Sequence, residues 1–181
     1  MARRLPQLAI ALLVLVAIVA TIRMYFLPGA GPARGGGGPA ALAGAPAQSY
    51  TLARLDGKSD GLAAYRGRVV LVNLWASWCA PCRSETPALE QLYEENRHRN
   101  FVVLGIDQGE SAATARGFAK DMRLSYPILI DSDQEYGRAY AAIGLPTSLV
   151  VDRAGRIVRG FDGEMSLAAM RDAVLPLLSR P

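Results

Sequence analysis

Hydrophobic residues fall into one long N-terminal run and a series of shorter runs further along the chain. Residues 5–22 carry no charge and consist mainly of Ala, Leu, Val and Ile. As a helix rising about 1.5 Å per residue, this run would extend roughly 27 Å, close to the thickness of a bilayer's hydrocarbon core. The pattern predicts an N-terminal transmembrane helix, with residues 5–27 as the anchor and residues 1–4 as a short charged leader.

The flanks of this run bear on its processing and orientation. A cleaved signal peptide is the alternative, but residues 21–27 offer no cleavage site of the small-x-small type. Arg3, Arg4 and the free amine precede the run, whereas Arg23 and Arg34 follow it. The positive-inside bias favours a cytoplasmic leader. We therefore expect a single-pass protein whose C-terminal part lies outside the cytoplasm.

Residues 28–48 have a linker composition. Eighteen of these 21 residues are Gly, Ala or Pro. Such a sequence has almost nothing to bury, so burial cannot offset the entropy lost on folding. It predicts a tether between the anchor and a folded domain over residues 49–181.

The remaining pattern alternates between short apolar runs and helical spacing. Residues 69–75 form a continuous apolar run typical of a strand buried on both faces. The sequence of residues 152–155 is typical of the turn of a hairpin and predicts one at the end of the sheet. The succession predicts an α/β sandwich with a mixed central sheet. Its predicted strands are 69–75, 101–106, 127–130, 147–151 and 156–158, and its predicted helices are 87–96, 112–122, 135–142 and one starting at Ser166.

The net charge of +4 does not describe the predicted domain. All 16 acidic residues lie between Asp56 and Asp172, and residues 49–181 also contain 16 Lys and Arg. The excess comes from the four N-terminal arginines. A nucleic-acid-binding domain would need basic residues clustered on its folded surface, and we expect no nucleic-acid partner.

Both cysteines lie in Cys79-Ala80-Pro81-Cys82, where the predicted central strand meets the following helix. Unpaired N–H groups and the helix dipole favour a thiolate at a helix N-terminus and lower its pKa. We expect Cys79 to be the nucleophile and Cys82 to resolve a mixed disulfide by attacking it. Ala80 and Pro81, between the sulfurs, should influence the reduction potential.

Two other roles for the cysteines fit the sequence less well. A structural zinc site needs four ligands, and His98 is the only further soft ligand in the chain. A purely structural disulfide closing so short a loop would remove little chain entropy. His98 itself is predicted to be a solvated residue at a helix C-terminus. We therefore expect no metal and no cofactor beyond the redox-active cysteine pair.

The segment around the cysteines resembles a known family. Residues 73–87 read Asn73-Leu-Trp-Ala-Ser-Trp-Cys79-Ala-Pro-Cys82-Arg-Ser-Glu85-Thr-Pro87, which is similar to the active-site segment of thioredoxin-like proteins of the TlpA/ResA/DsbE type. The resemblance runs from about Tyr50 to Leu178. It implies a thioredoxin-like three-layer sandwich, tethered to the bacterial inner membrane on the periplasmic side, that exchanges thiols and disulfides.

The same resemblance assigns a substrate-binding surface. It implies that Pro146 is a cis-proline facing the CxxC motif and that Leu145 offers backbone groups to an extended substrate segment. Trp78 is expected to shield Cys79 and, together with Pro81 and Thr147, to contribute to docking.

Position 73 departs from thioredoxins proper, which carry a buried aspartate where this chain has Asn73. An amide cannot accept a proton from the resolving thiol, so another base is needed. Glu85, three residues after Cys82, matches the active-site glutamate of the ResA-like branch. It could tune the thiol pKa values or take a proton; the alternative is a solvated first-turn glutamate.

The family also implies partners. Its members reduce oxidised apocytochrome c or copper-centre assembly proteins, including those of cytochrome oxidase, and a membrane thiol-transfer protein recharges them. Thr147, where the cytochrome c branch typically has glutamate, favours a general reductase. A disulfide oxidant or isomerase remains an alternative. A peroxidase would need Pro and Thr at the positions of Val72 and Ala76, and a copper chaperone of the Sco kind would need Cys-x-x-x-Cys.

Overall fold

A computed structural model describes residues 39–140 and 142–179. They belong to a compact unit that comprises Gly37–Pro181. The predicted leader, the predicted anchor and the first part of the predicted linker lie outside the described residues. Among the helices that are described, none is both long enough and apolar enough to cross a membrane.

One mixed sheet forms the middle layer of the molecule. Its strands follow the order β2-β1-β5-β4-β3-β6-β7 across the sheet. The parallel pairs are β3 with β4 and β4 with β5, and the other neighbours are antiparallel. The strands are β1 (Leu52–Arg54), β2 (Ser59–Asp60), β3 (Val69–Trp75), β4 (Phe101–Gln108), β5 (Ile128–Asp131), β6 (Thr147–Val151) and β7 (Ile157–Asp162), and the helices are α1 (Ala80–Asn96), α2 (Ala112–Asp121), α3 (Glu135–Ala139) and α4 (Leu167–Leu178).

The two central strands are buried along their whole length. Every residue of β3 and β4 is buried, as expected for parallel strands covered on both faces. Helices α1, α2 and α4 pack on one face. Helix α3 and a 3-10 turn at Leu62–Tyr65 pack on the other. The predicted three-layer α/β sandwich with a mixed sheet is confirmed.

The terminal hairpin forms as the sequence predicted, but its second strand is longer. Strand β7 continues to Asp162, because Thr147 pairs with Asp162 as well as Val151 with Ile157. Gly155 adopts a φ of 77° in the turn, a conformation that glycine reaches without steric cost.

The folded unit begins upstream of the predicted boundary at residue 49. Gly44 N donates to Ile157 O at 2.7 Å, Ile157 N donates to Ala45 O at 2.9 Å, and Ala47 N donates to Gly155 O at 2.9 Å. The end of the predicted linker therefore pairs with β7. Pairing of this kind uses backbone groups, so a composition of Gly, Ala and Pro does not prevent it.

Other boundaries also shift. Helix α1 begins at Ala80, directly after Cys79, so it includes the CxxC segment ahead of the helical spacing of residues 87–96, and Pro81 fits its first turn. Helix α3 ends at Ala139. The short hairpin of β1 and β2 was not predicted, because its five residues show no clear alternation.

Candidate active site

The two cysteines are joined by a disulfide at the start of α1, with an S–S distance of 2.02 Å. Cys79 is the N-cap of the helix, and its Sγ accepts a hydrogen bond from Cys82 N at 3.3 Å. Cys79 is 4% exposed and Cys82 is 1% exposed. Pro81 lies between them on the exposed side. The predicted placement of Cys79 at a helix N-terminus is confirmed.

An exposed groove lies beside the disulfide. Trp78 is 69% exposed and Ile143 is 82% exposed, the two large hydrophobic side chains that stand out on the described surface. Both line a groove of about 250 Å³, together with Arg138, Gly144 and Leu145. A groove lined by apolar side chains, one arginine and two glutamines, and reaching Trp78 next to Cys79, can receive a polypeptide segment.

The loop before β6 contains the predicted cis-proline. The peptide bond between Leu145 and Pro146 is cis. Leu74 pairs with Thr147 across β3 and β6, so this loop lies beside the end of β3 from which the CxxC segment leaves. Pro146 O accepts from Gly163 N at 2.8 Å.

The side chain of Thr147 does not lie on the exposed surface where it was expected to contribute to docking. Its side chain is fully buried, and its Oγ1 donates to Gly144 O at 2.8 Å. A buried hydroxyl that is already bonded to the backbone cannot contact a client. Thr147 holds the cis-proline loop from inside instead.

Glu85 lies one turn of α1 beyond Cys82 and is buried, with 2% of its surface exposed. Its Oε1 accepts from Asn73 Nδ2 at 2.7 Å, and its Oε2 accepts from Met165 N at 2.9 Å. Burial raises the pKa of Glu85 to about 7; the bonds from Met165 and Asn73 oppose that rise, and Glu164 adds to it. The alternative of a solvated glutamate is therefore wrong.

A second carboxylate, Glu110, contacts the active-site loop and was not predicted. Its Oε2 accepts from Ser77 N and its Oε1 accepts from Ser77 Oγ, both at 2.6 Å. The carbonyl of Ser77 accepts from Arg83 Nη1 at 3.2 Å. Desolvation opposes ionisation of Glu110, but the bonds from Ser77 outweigh it and lower its pKa. The sequence feature that could have identified Glu110 is its position just after β4, the strand that pairs in parallel with β3.

Asp107, close to Glu110, is a third acidic residue of the site and lies at the carboxyl end of β4. Asp107 is fully buried, pairs in register with Trp75 and accepts from Glu110 N at 3.2 Å. Burial first, and then the neighbouring Glu110 carboxylate, raise its pKa to about 8. The site therefore holds a carboxyl group behind the CxxC loop whose ionisation burial opposes.

The donor set does not suit a metal. In residues 39–140 and 142–179, no group of three or more His, Cys, Asp or Glu side chains could hold a metal ion. His98 is exposed just beyond the end of α1, as predicted. The chemistry available to the site is that of the cysteine pair and the buried carboxyl groups around it.

A thioredoxin-like fold with a CxxC disulfide at a helix N-terminus and a neighbouring cis-proline defines a thiol-disulfide oxidoreductase, in which the cysteine pair is the redox centre and no cofactor is required. The AhpC/TSA family matches residues 43–159. This chain belongs to that family, within its TlpA/ResA/DsbE-type branch.

Curated relatives agree with this assignment. The chain is 32% identical over 127 residues to the thiol-disulfide oxidoreductase ResA of Geobacillus thermodenitrificans, covering 70% of this chain and 73% of that protein. It is 30% identical over 123 residues to ResA of Bacillus thuringiensis, covering 68% of this chain and 71% of the relative.

Solved structures show the same fold. A thiol:disulfide interchange protein of the thioredoxin family from Chlorobium tepidum superposes with a TM-score of 0.67 at 31% identity, covering 74% of this chain and 96% of that one. A secreted thiol-disulfide isomerase from Corynebacterium glutamicum gives a TM-score of 0.68 at 29% identity, covering 74% and 85%.

Proposed function

We propose that this protein is a membrane-tethered disulfide reductase that acts on protein clients outside the cytoplasm. The observation that carries the proposal is the Cys79–Cys82 disulfide at the start of α1, beside the exposed Trp78 and its groove. The extracytoplasmic location is supported by the apolar run and flanking arginines of residues 1–27.

The reaction begins with the reduced pair. The helix N-terminus and Cys82 N–H stabilise the Cys79 thiolate. It attacks one sulfur of a client disulfide, forms a mixed disulfide, and the other client sulfur leaves as a thiolate that takes up a proton. The Cys82 thiolate then attacks Cys79 Sγ, which re-forms the Cys79–Cys82 disulfide and releases the second client thiolate. Two electrons pass to the client.

Glu85 supplies the proton acceptor in this scheme. It lies one helical turn beyond Cys82, and its pKa of about 7 lets it take or return a proton near neutral pH. Asn73 is its hydrogen-bond donor and cannot accept a proton in its place. Glu85 therefore serves the step in which Cys82 becomes a thiolate.

The client docks across the groove. Trp78 and Pro81 are exposed on either side of the buried Cys79, and Leu145 lines the groove just before the cis bond. An extended client segment can pair with the backbone of Leu145, while Pro146 forms the wall of the site.

The clients follow from the family. We assign oxidised apocytochrome c, or proteins that assemble copper centres such as that of cytochrome oxidase, as substrates, and a membrane thiol-transfer protein as the electron donor.

The reduction potential tests the direction of exchange. The full chain in detergent micelles is equilibrated with glutathione and dithiothreitol redox buffers, and its oxidised fraction is measured by thiol labelling. A potential near or below about −270 mV, as in thioredoxin, supports a reductase. A potential near about −120 mV, as in DsbA, would overturn that direction.

Trapping tests the roles of the cysteines and the client class. Cys82→Ser should accumulate a mixed disulfide with an oxidised Cys-x-x-Cys-His peptide, the haem-attachment sequence, because the resolving thiol is missing. Cys79→Ser is the matched control and should form none. Equal trapping by both variants would contradict the assignment of Cys79 as nucleophile.

Isomerisation is the second candidate, supported by the secreted isomerase of Corynebacterium glutamicum with the same fold. An isomerase needs only the Cys79 thiolate to reshuffle a scrambled substrate, so Cys82→Ser would retain that activity. A reductase loses turnover in the same variant. Recovery of activity by scrambled ribonuclease separates the two.

A further inference from the structure

Arginines of the formally neutral domain gather at one end of its sheet. Three segments meet at the end of the sheet opposite the cysteines: residues 66–68, 97–100 and 152–156, here called the basic end. They are adjacent, since Gly67 N donates to Arg153 O and Val69 N donates to Asn100 O, both at 3.0 Å. Their sequence contains six arginines and one aspartate, namely Arg66, Arg68, Arg97, Arg99, Arg153, Arg156 and Asp152.

The positive charge of the basic end is largely exposed. All of its arginines except the half-buried Arg153 are exposed. Three of them donate to uncharged acceptors: Arg66 to Ala154 O, Arg99 to Asn96 Oδ1 and Arg156 to Gly44 O. Arg97 forms an ion pair with Glu94 at 3.1 Å, a contact that is itself exposed.

The opposite end of the sheet, which carries the cysteines, is acidic. It receives the carboxyl ends of β3, β4 and β5 and the end of β7, as the strand registers show. Besides the buried Asp107, its charged residues include Glu110, Asp131, Asp133, Glu135, Asp162 and Glu164, against Arg83 and Arg138. An anionic surface that attracted the domain would therefore orient the basic end inward and the disulfide outward.

The chain enters the domain at the basic end. Residues 44–47, at the end of the predicted linker, pair with β7 next to the turn of residues 152–156. Residues 44–47 and these arginines thus lie on the same side of the domain.

We propose that the basic end docks onto the anionic phospholipid headgroups of the membrane that holds the anchor, and so keeps the active site facing away from the bilayer. The inference builds on the membrane location proposed above. Arginine suits this role because its guanidinium pairs bidentately with phosphate, and clustered basic residues beside an anchor are attracted to anionic lipid within a Debye length.

Hydrogen exchange on the full chain tests this docking. The protein is mixed with vesicles of phosphatidylcholine alone, or with about one third phosphatidylglycerol. Amides of the basic end should exchange at least about fivefold more slowly with the anionic vesicles, whereas peptides around Cys79 should not change. About 0.5 M salt should remove the difference, because it shortens the Debye length to a few Å.

A matched pair of variants assigns the effect to these arginines. Arg68→Gln/Arg97→Gln/Arg99→Gln should lose the protection, and Arg116→Gln/Lys120→Gln/Arg159→Gln, which removes three exposed charges elsewhere, should keep it. Equal protection on both vesicle types, or protection that survives the first triple substitution, would overturn the proposal. Redox titration of the same samples reports on the cysteine chemistry separately.

Discussion

The side-chain amide of Asn73 donates a hydrogen bond of 2.7 Å to Glu85 Oε1 and thereby joins the central strand to the active-site helix. The same Nδ2 also donates to Ser148 Oγ at 3.0 Å. Three elements, β3, α1 and β6, thus meet at one buried amide. The carboxyl group that it holds has a pKa of about 7 because burial outweighs the hydrogen bonds, which makes it both a proton acceptor and a cost to stability.

Replacing Glu85 with Gln should remove its proton-transfer role while keeping one of its two hydrogen-bond acceptors. We expect resolution of the mixed disulfide to slow by about tenfold or more, and its pH dependence near 7 to disappear. Rapid-quench measurements of mixed-disulfide decay between pH 5 and 9 check this. Glu95→Gln, an exposed change on the same helix, is the control, and a Glu85→Gln variant with an unchanged rate and pH profile would remove Glu85 from the mechanism.

Asn73→Asp restores the buried aspartate of thioredoxins and should be harmful in this site. Two carboxyl groups within hydrogen-bond distance cannot both ionise, so the pKa of Glu85 should rise above 7. We expect a destabilisation of about 2 kcal/mol at pH 8 and a smaller one at pH 5, where the pair is protonated.

Urea unfolding at the two pH values measures this change. Asn100→Asp, an exposed substitution, is the control and should change the free energy of unfolding little at either pH. Equal losses for Asn73→Asp at pH 5 and pH 8 would argue against a shared proton.

Stability of the unchanged protein should fall as the pH rises from about 4.5 to 8. The pKa of Glu85 is raised to about 7 and that of Asp107 to about 8, so in this window the folded state binds more protons than the unfolded state. For Glu85, a rise from 4.5 to about 7 corresponds to a loss on the order of 3 kcal/mol. Urea unfolding of the oxidised protein tests this, and Asp107→Asn should flatten the profile.

Glu110 should act by positioning the loop that precedes Cys79. Glu110→Ala removes both acceptors of Ser77, and we expect a loss of about 2 kcal/mol in stability and a client reduction rate about tenfold lower. Glu110→Gln keeps one acceptor and should recover part of that rate, which a general loss of stability would not predict. Stopped-flow reduction assays compare the two, with the exposed Glu135→Ala as control.

Trp78 should contribute to client binding rather than to the chemistry. Trp78→Ala removes an exposed ring from the wall of the groove, and we expect the KM for a protein client to rise about tenfold with kcat nearly unchanged. Reaction with a small aromatic disulfide should not change. Ile143→Ala on the opposite rim should have a similar but smaller effect, and a loss confined to kcat would contradict a docking role.

The central part of the molecule could be predicted because its signals are local. The apolar run of β3 and the CxxC motif at a helix start lie in continuous sequence, so burial pattern and spacing suffice. Glu110 and Asp107 could not be placed, because their contact with Ser77 depends on the register of β4 against β3. The burial of Thr147 likewise depends on its neighbours in space.

Because residues 44–47 pair with β7, the position at which a fragment of this protein begins should decide whether that fragment self-associates. Strand β7 is the last strand of the sheet, and open strand edges recruit strands from other molecules. Gly44 and Ala45 occupy backbone groups of Ile157 on that edge. A fragment starting at Ser49 would expose the backbone N–H and C=O of Ile157 and should self-associate, whereas a fragment starting at Pro39 should stay monomeric.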